Sequence, residues 1–123
     1  MKYAFLILAC AVLLAATPAS ATQGLECRSP GRRGFELYLS VGSGGGVDLV
    51  SITERGRELR ATGLAGANPR IARGFLNRSG RVAVRIVGRD GHAIASLDGT
   101  SGAGTLRYRG RTWRVSCRWE PQE

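Results

Sequence analysis

Beyond residue 22 the chain alternates apolar and polar side chains with a period of two, in short runs. Residues 34–41 show it most cleanly: Phe35, Leu37, Leu39 and Val41 fall on one side, Glu36, Tyr38 and Ser40 on the other. That period belongs to a strand with one buried face. Glycine-rich turns interrupt the runs every 8–12 residues, the spacing of an all-β sandwich or barrel. A short first strand is predicted at residues 25–28. Others follow at 34–41, 47–54, 58–64, 70–76, 81–87, 92–97, 105–109 and 112–119. In residues 81–87, Val82, Val84 and Ile86 point inward. Asp90-Gly91 is a type I′ hairpin signal. Residues 98–104 read as a loose glycine loop, and the tail from Glu120 as frayed.

The last two strands test their own pairing. A two-residue type II′ turn at Gly110-Arg111 sets Tyr108 opposite Trp113, Arg107 opposite Arg114 and Leu106 opposite Val115. Leu106, Tyr108, Trp113, Val115, Cys117 and Trp119 then share the core face. Arg107, Arg109, Arg114 and Arg118 share the solvent face. A slip by one residue mixes the faces, so the alternation resists it.

Sequential strands with short connections predict a small antiparallel meander closing into a barrel of about eight strands, with a two-sheet β-sandwich as the alternative. Closure removes the exposed sheet edges. Cys27 and Cys117 lie on the first and last strands, so a disulfide between them would join those strands.

The compartment follows from the start of the chain. Lys2, the apolar run 3–16, Thr17-Pro18 and Ala19-Ser20-Ala21 form the pattern of a cleaved secretory signal over residues 1–21. The apolar run is shorter than the roughly 20 residues of a membrane helix, and no later segment qualifies. Ile7-Leu8-Ala9-Cys10 loosely matches a lipoprotein box, but the apolar run continues past it. A mature domain of residues 22–123 is expected to be exported, periplasmic or secreted, from a bacterium. It keeps two cysteines where disulfides form by default. Its arrangement as monomer or oligomer has no signature.

Charge bears on partners. Lys2 is the only lysine, so the mature chain sets seventeen arginines against nine carboxylates, +8. Such a surface attracts an anionic polymer, a lipid head group or an acidic protein. Arg107, Arg109, Arg114 and Arg118 are the candidate anion-binding face, with Arg81 and Arg85 a similar pair elsewhere. With Trp113 and Trp119 facing the core, no exposed aromatic platform is interleaved with these arginines, unlike in single-stranded nucleic-acid readers.

The residue types of catalysis are sparse. His92 is the only histidine, so a two-histidine metal site cannot form. Residues 99–103, Gly-Thr-Ser-Gly-Ala, fall one glycine short of a nucleophile elbow and precede no helix. Residues 43–48 fall short of a calcium-binding repeat, and one copy cannot stack. Glu54 with Glu58 and Asp90 with Asp98 have arginines close by and read as ion pairs. Asn77-Arg78-Ser79 fits a glycosylation acceptor in a turn. No enzyme, cofactor or metal is expected. The reading is a small exported non-enzymatic β-domain that binds an anionic envelope or extracellular partner through its arginine face. The alternative is an inhibitor or accessory protein of a secreted hydrolase acting through a glycine-rich loop, at 42–46 or 98–104.

Overall fold

A computed structural model describes residues 22–31 and 34–121. The expected signal sequence, residues 1–21, lies outside the described residues, as does Cys10. Nine strands follow one another: β1 (Gln23–Arg28), β2 (Phe35–Val41), β3 (Val47–Glu54), β4 (Arg57–Thr62), β5 (Arg70–Leu76), β6 (Arg81–Val87), β7 (Ala93–Thr100), β8 (Ala103–Tyr108) and β9 (Arg111–Trp119). They close into one barrel in sequence order, so the meander holds and the two-sheet alternative does not.

An odd strand number has a geometric consequence. A fully antiparallel ring needs an even count, so nine strands force one parallel pair. It falls at β4–β5, where a single pairing, Thr62 with Arg70, closes the wall. All other neighbours are antiparallel, including β9 with β1.

The predicted inward faces are the buried ones. Phe35, Leu37, Leu39, Val50, Ile52, Val82, Val84, Ile86, Leu97 and Leu106 pack into one cluster. They fill the barrel: the void among them is about 10 Å³, too small for anything beyond one water. An interior carrier site of the kind found in wider barrels has no volume in this core.

Turn chemistry follows two patterns. At residues 42–46, 77–81 and 88–92 the fourth residue of a tight turn, Gly45, Gly80 or Gly91, has positive φ, and two backbone hydrogen bonds close each loop. The Asp90-Gly91 hairpin is therefore not type I′. Gly91 N–H donates to the Gly88 carbonyl and Asp90 keeps negative φ, giving a type I turn with a left-handed glycine after it. The other pattern occurs at Arg55-Gly56 and Arg109-Gly110, where both residues have positive φ, as type I′ requires.

Residues 98–104 are not a loose loop. β7 runs through Thr100 and β8 begins at Ala103. Thr100 Oγ1 accepts from the N–H groups of Gly102 and Ala103 and pins the turn. Gly99 and Gly104 face each other across these strands, and a Cβ on Gly99 would strike the Ala103 carbonyl oxygen and Gly104 Cα. The glycines let two backbones meet at a sharp bend. Residues 42–46 also lie against the wall: Leu76 N–H donates to the Gly45 carbonyl at 2.7 Å.

Cys27 and Cys117 stand directly opposite in the β1–β9 register and are joined, Cα–Cα 4.0 Å. The chain beyond β9 is anchored rather than frayed at Glu120, whose N–H donates to the Gly24 carbonyl at 2.7 Å. Its carboxylate accepts from the Tyr38 hydroxyl at 3.2 Å. Among the described residues no helix is long and apolar enough to cross a membrane.

Candidate anion-binding face

Inward valines and leucines leave the arginines of β6 and β8 outward by alternation, and a β-bulge between Ile71 and Arg73 turns Arg73 of β5 outward with them. Pairing then sets them in a line. Arg73 of β5 faces Arg85 of β6, Arg85 faces Ser96 of β7, and Ser96 faces Arg107 of β8. With about 4.8 Å between strands, Arg73 to Arg107 spans roughly 14 Å at the backbone. One layer along the strands, Ala83, Asp98, Thr105 and Arg114 form the next row. Asp98 is the only carboxylate in either row.

Among the described residues no carboxylate lies within 4.0 Å of Arg73, Arg81, Arg85, Arg107 or Arg114. Arg73 instead lies over the Phe75 ring, 5.1 Å from its centroid. Phe75, half-buried, is thus an aromatic ring beside Arg73 on the outer wall, though not an exposed platform. It follows a β-bulge between Ile71 and Arg73, which breaks the simple alternation of β5.

Of the four arginines expected on the face, Arg107 and Arg114 point outward and have no ion pair among the described residues. Arg118 points outward too, but crosses the β9–β1 seam to Glu26 at 3.5 Å. Arg109 leaves the face. The turn is Arg109-Gly110, not Gly110-Arg111, so Tyr108 pairs with Arg111, Leu106 with Trp113 and Thr105 with Arg114. The register is displaced by two residues. Displacement by two preserves which side chains face the core, so the faces are right and the partners wrong. Arg107 opposes Thr112, not Arg114. The directly opposed like charges are Arg73 and Arg85.

Trp113 packs edge-to-face on Phe35 with centroids 4.4 Å apart. Trp119 does not face the core. It stands opposite Leu25 of β1 but beyond Ser116, the last residue of β9 paired with β8, and is 40% exposed, beside an end cleft of about 550 Å³ with Gln23, Asn77, Arg78 and residues 41–45.

The remaining sequence candidates stay apart. His92 is exposed, and its backbone N–H donates to Asp90 Oδ1 at 3.1 Å. Glu58 meets Arg60 at 3.3 Å and Glu54 meets Arg109 at 3.7 Å. Asn77 Oδ1 accepts from Arg81 N–H and from Ser79 Oγ within its turn. No three His, Cys, Asp or Glu side chains gather among the described residues. Comparison with protein-family models, curated proteins and solved structures found no match.

Proposed function

We propose that this protein is an exported, non-enzymatic binding module that holds an anionic polymer against the outer wall of β5–β9. One observation carries the reading: Arg73, Arg85 and Arg107 form a row across four strands with no carboxylate in reach among the described residues. Like charges opposed in a sheet destabilise it, and a chain of regularly spaced anions offsets that repulsion. A polymer fits better than a small anion because the wall is convex and the charges are strung along a line. The disulfide fits an oxidising compartment.

The test is retention on heparin and on single-stranded DNA at low and high salt. The parent should bind at low salt and release steeply as salt rises, because bound arginines displace counterions. The R73Q/R85Q/R107Q/R114Q variant should lose at least tenfold in affinity. An R28Q/R60Q/R118Q control, drawn from the ion-paired wall, should lose far less. Equal losses from the two variants would reduce the binding to net charge and sink the proposal. Binding only to anionic vesicles would replace the polymer with a lipid surface.

A further inference from the structure

The barrel end that carries the Arg55-Gly56 and Arg109-Gly110 turns has features that the outer wall does not explain. Type I′ turns favour Asn, Asp or Gly at their first central position, because that residue must enter the left-handed region. Arg55 and Arg109 occupy that position at φ 50° and 52°, the only non-glycine residues with positive φ among those described. A long side chain is disfavoured there. The two turns are remote in sequence, yet both line one cleft of about 320 Å³, together with Arg111.

Its floor is aromatic: Phe35 packs edge-to-face on Tyr108 at 5.6 Å and on Trp113 at 4.4 Å. Arg109 is held over the Tyr108 ring at 5.3 Å. Glu54 meets Arg109 at 3.7 Å and is the one carboxylate of the lining. Two buried polar atoms of this lining have no hydrogen-bond partner, the Trp113 Nε1 donor and the Glu54 Oε2 acceptor, the latter being the oxygen that meets Arg109 as an ion pair beyond hydrogen-bond distance. Buried groups of either kind normally have one.

We infer that this end cleft is a second binding site, distinct from the outer wall, for a phosphomonoester group. Three guanidiniums against one carboxylate leave an excess of positive charge and of N–H donors. Guanidiniums suit phosphate oxygens through their planar fork. The lone acceptor adds a choice. An acceptor in the lining favours an anion that brings a proton to it. A phosphomonoester, whose second ionisation lies near pH 6, does so over part of the neutral range. A sulfate ester does not. The aromatic floor then meets the organic part of the ligand.

The experiment follows the two indole N–H resonances of the full domain, Trp113 and Trp119, assigned with a W119F variant. Inorganic phosphate and phenyl phosphate are the probes, with sulfate as the control. The Trp113 resonance should shift and saturate with both phosphates, and sulfate should bind at least about tenfold more weakly. R55N/R109N should abolish the shift while raising the melting temperature, since Asn suits the left-handed position. R111Q leaves both turn backbones untouched and should weaken binding by itself. E54Q should narrow the gap between phosphate and sulfate. R73Q/R85Q/R107Q/R114Q should keep the shift, which separates this site from the outer wall. A Trp113 resonance indifferent to phosphate, or an R55N/R109N protein that binds as the parent does, would overturn the inference.

Discussion

The two halves of the barrel wall use arginine differently. In β1–β4 and the neighbouring edge of β9, outward arginines meet carboxylates: Arg28 with Glu36, Arg60 with Glu58, and Arg118 with Glu26, at 3.3–3.9 Å. In β5–β8 they meet each other or neutral residues. The chain itself is lopsided. Residues 23–62 hold six arginines and five carboxylates, whereas residues 63–114 hold ten arginines and two carboxylates. Exposed ion pairs contribute little to stability, about 0–1 kcal/mol each, but they cancel the local field. The unpaired wall keeps its field. An outward arginine is therefore neither structural nor functional by type, and the residue across the next strand decides.

The halves join at two unequal seams. β9–β1 has four paired positions and the disulfide. β4–β5 has one pairing. Breaking the strong seam should have the largest effect on the fold. The bridge closes a sequence separation of 90 residues, for which chain-entropy arithmetic gives at most about 4–5 kcal/mol. A C27S/C117S variant should therefore lose a few kcal/mol in urea unfolding. An unchanged urea midpoint would mean that the paired strands hold the seam unaided.

A smaller effect compares glycines from the two halves. Alanine at Gly99 meets backbone atoms of Ala103 and Gly104, so β7 and β8 must part. Alanine at Gly24 meets the ends of the Tyr38 and Glu120 side chains at 2.5 Å, and these can swing aside. Overpacking against fixed atoms costs about 1–3 kcal/mol. G99A should fall in that range and G24A below it, measured by thermal unfolding. Similar losses would show that the 99–104 bend is no tighter than the rest of the wall.

Smaller still is the repulsion within the unpaired wall. R85T should stabilise the fold by a few tenths of a kcal/mol, up to about 1, by relieving the Arg73–Arg85 opposition. The parent should also gain stability from low to moderate salt as that repulsion is screened, and R85T should gain less. R118Q, which removes an attraction instead, should show a small loss. A destabilised R85T would mean that stem packing outweighs charge.

The smallest effect belongs to the paired half. Burial, and then the hydrogen bond and charge of Glu120 with further help from Glu26 and Asp48, hold the Tyr38 phenol above its ordinary value of 10.0. The unfolded chain therefore sheds this proton first as pH rises. The contribution is complete below pH 10 and is lost as pH climbs through the raised value. Unfolding followed from pH 9 to 11 should show a shallower alkaline decline in Y38F than in the parent. Identical declines would place the alkaline sensitivity elsewhere.

Much of the fold is legible in the chain because strand alternation is a local property. Phe35 through Val41 declare their buried side without reference to any partner. The faces of β8 and β9 survive a register displaced by two residues because two is the strand period. The pairing of Cys27 with Cys117 is legible because only two cysteines follow the expected signal. The candidate face was legible in part. Arg107 and Arg114 stood out on adjacent strands. Arg85 reads only as part of a separate pair with Arg81, and Arg73 does not stand out; both are joined to Arg107 only through three successive strand pairings and a bulge in β5. Arg109 falls off the expected face because turn type rests on which residue accepts positive φ. Arg-Gly is a poor sequence signal for type I′, and nothing local told it from Gly-Arg.

The sequence by itself thus determined the strand class, the inward and outward faces and the covalent closure, each from side-chain order along one segment. Only the tertiary structure decided who stands beside whom. Register, seam and turn geometry accumulate from strand to strand around the barrel. They alone separate the arginine that meets a carboxylate from the arginine that meets another arginine. They also leave Trp119 40% exposed beyond the end of the β8 pairing, although its parity along β9 points inward.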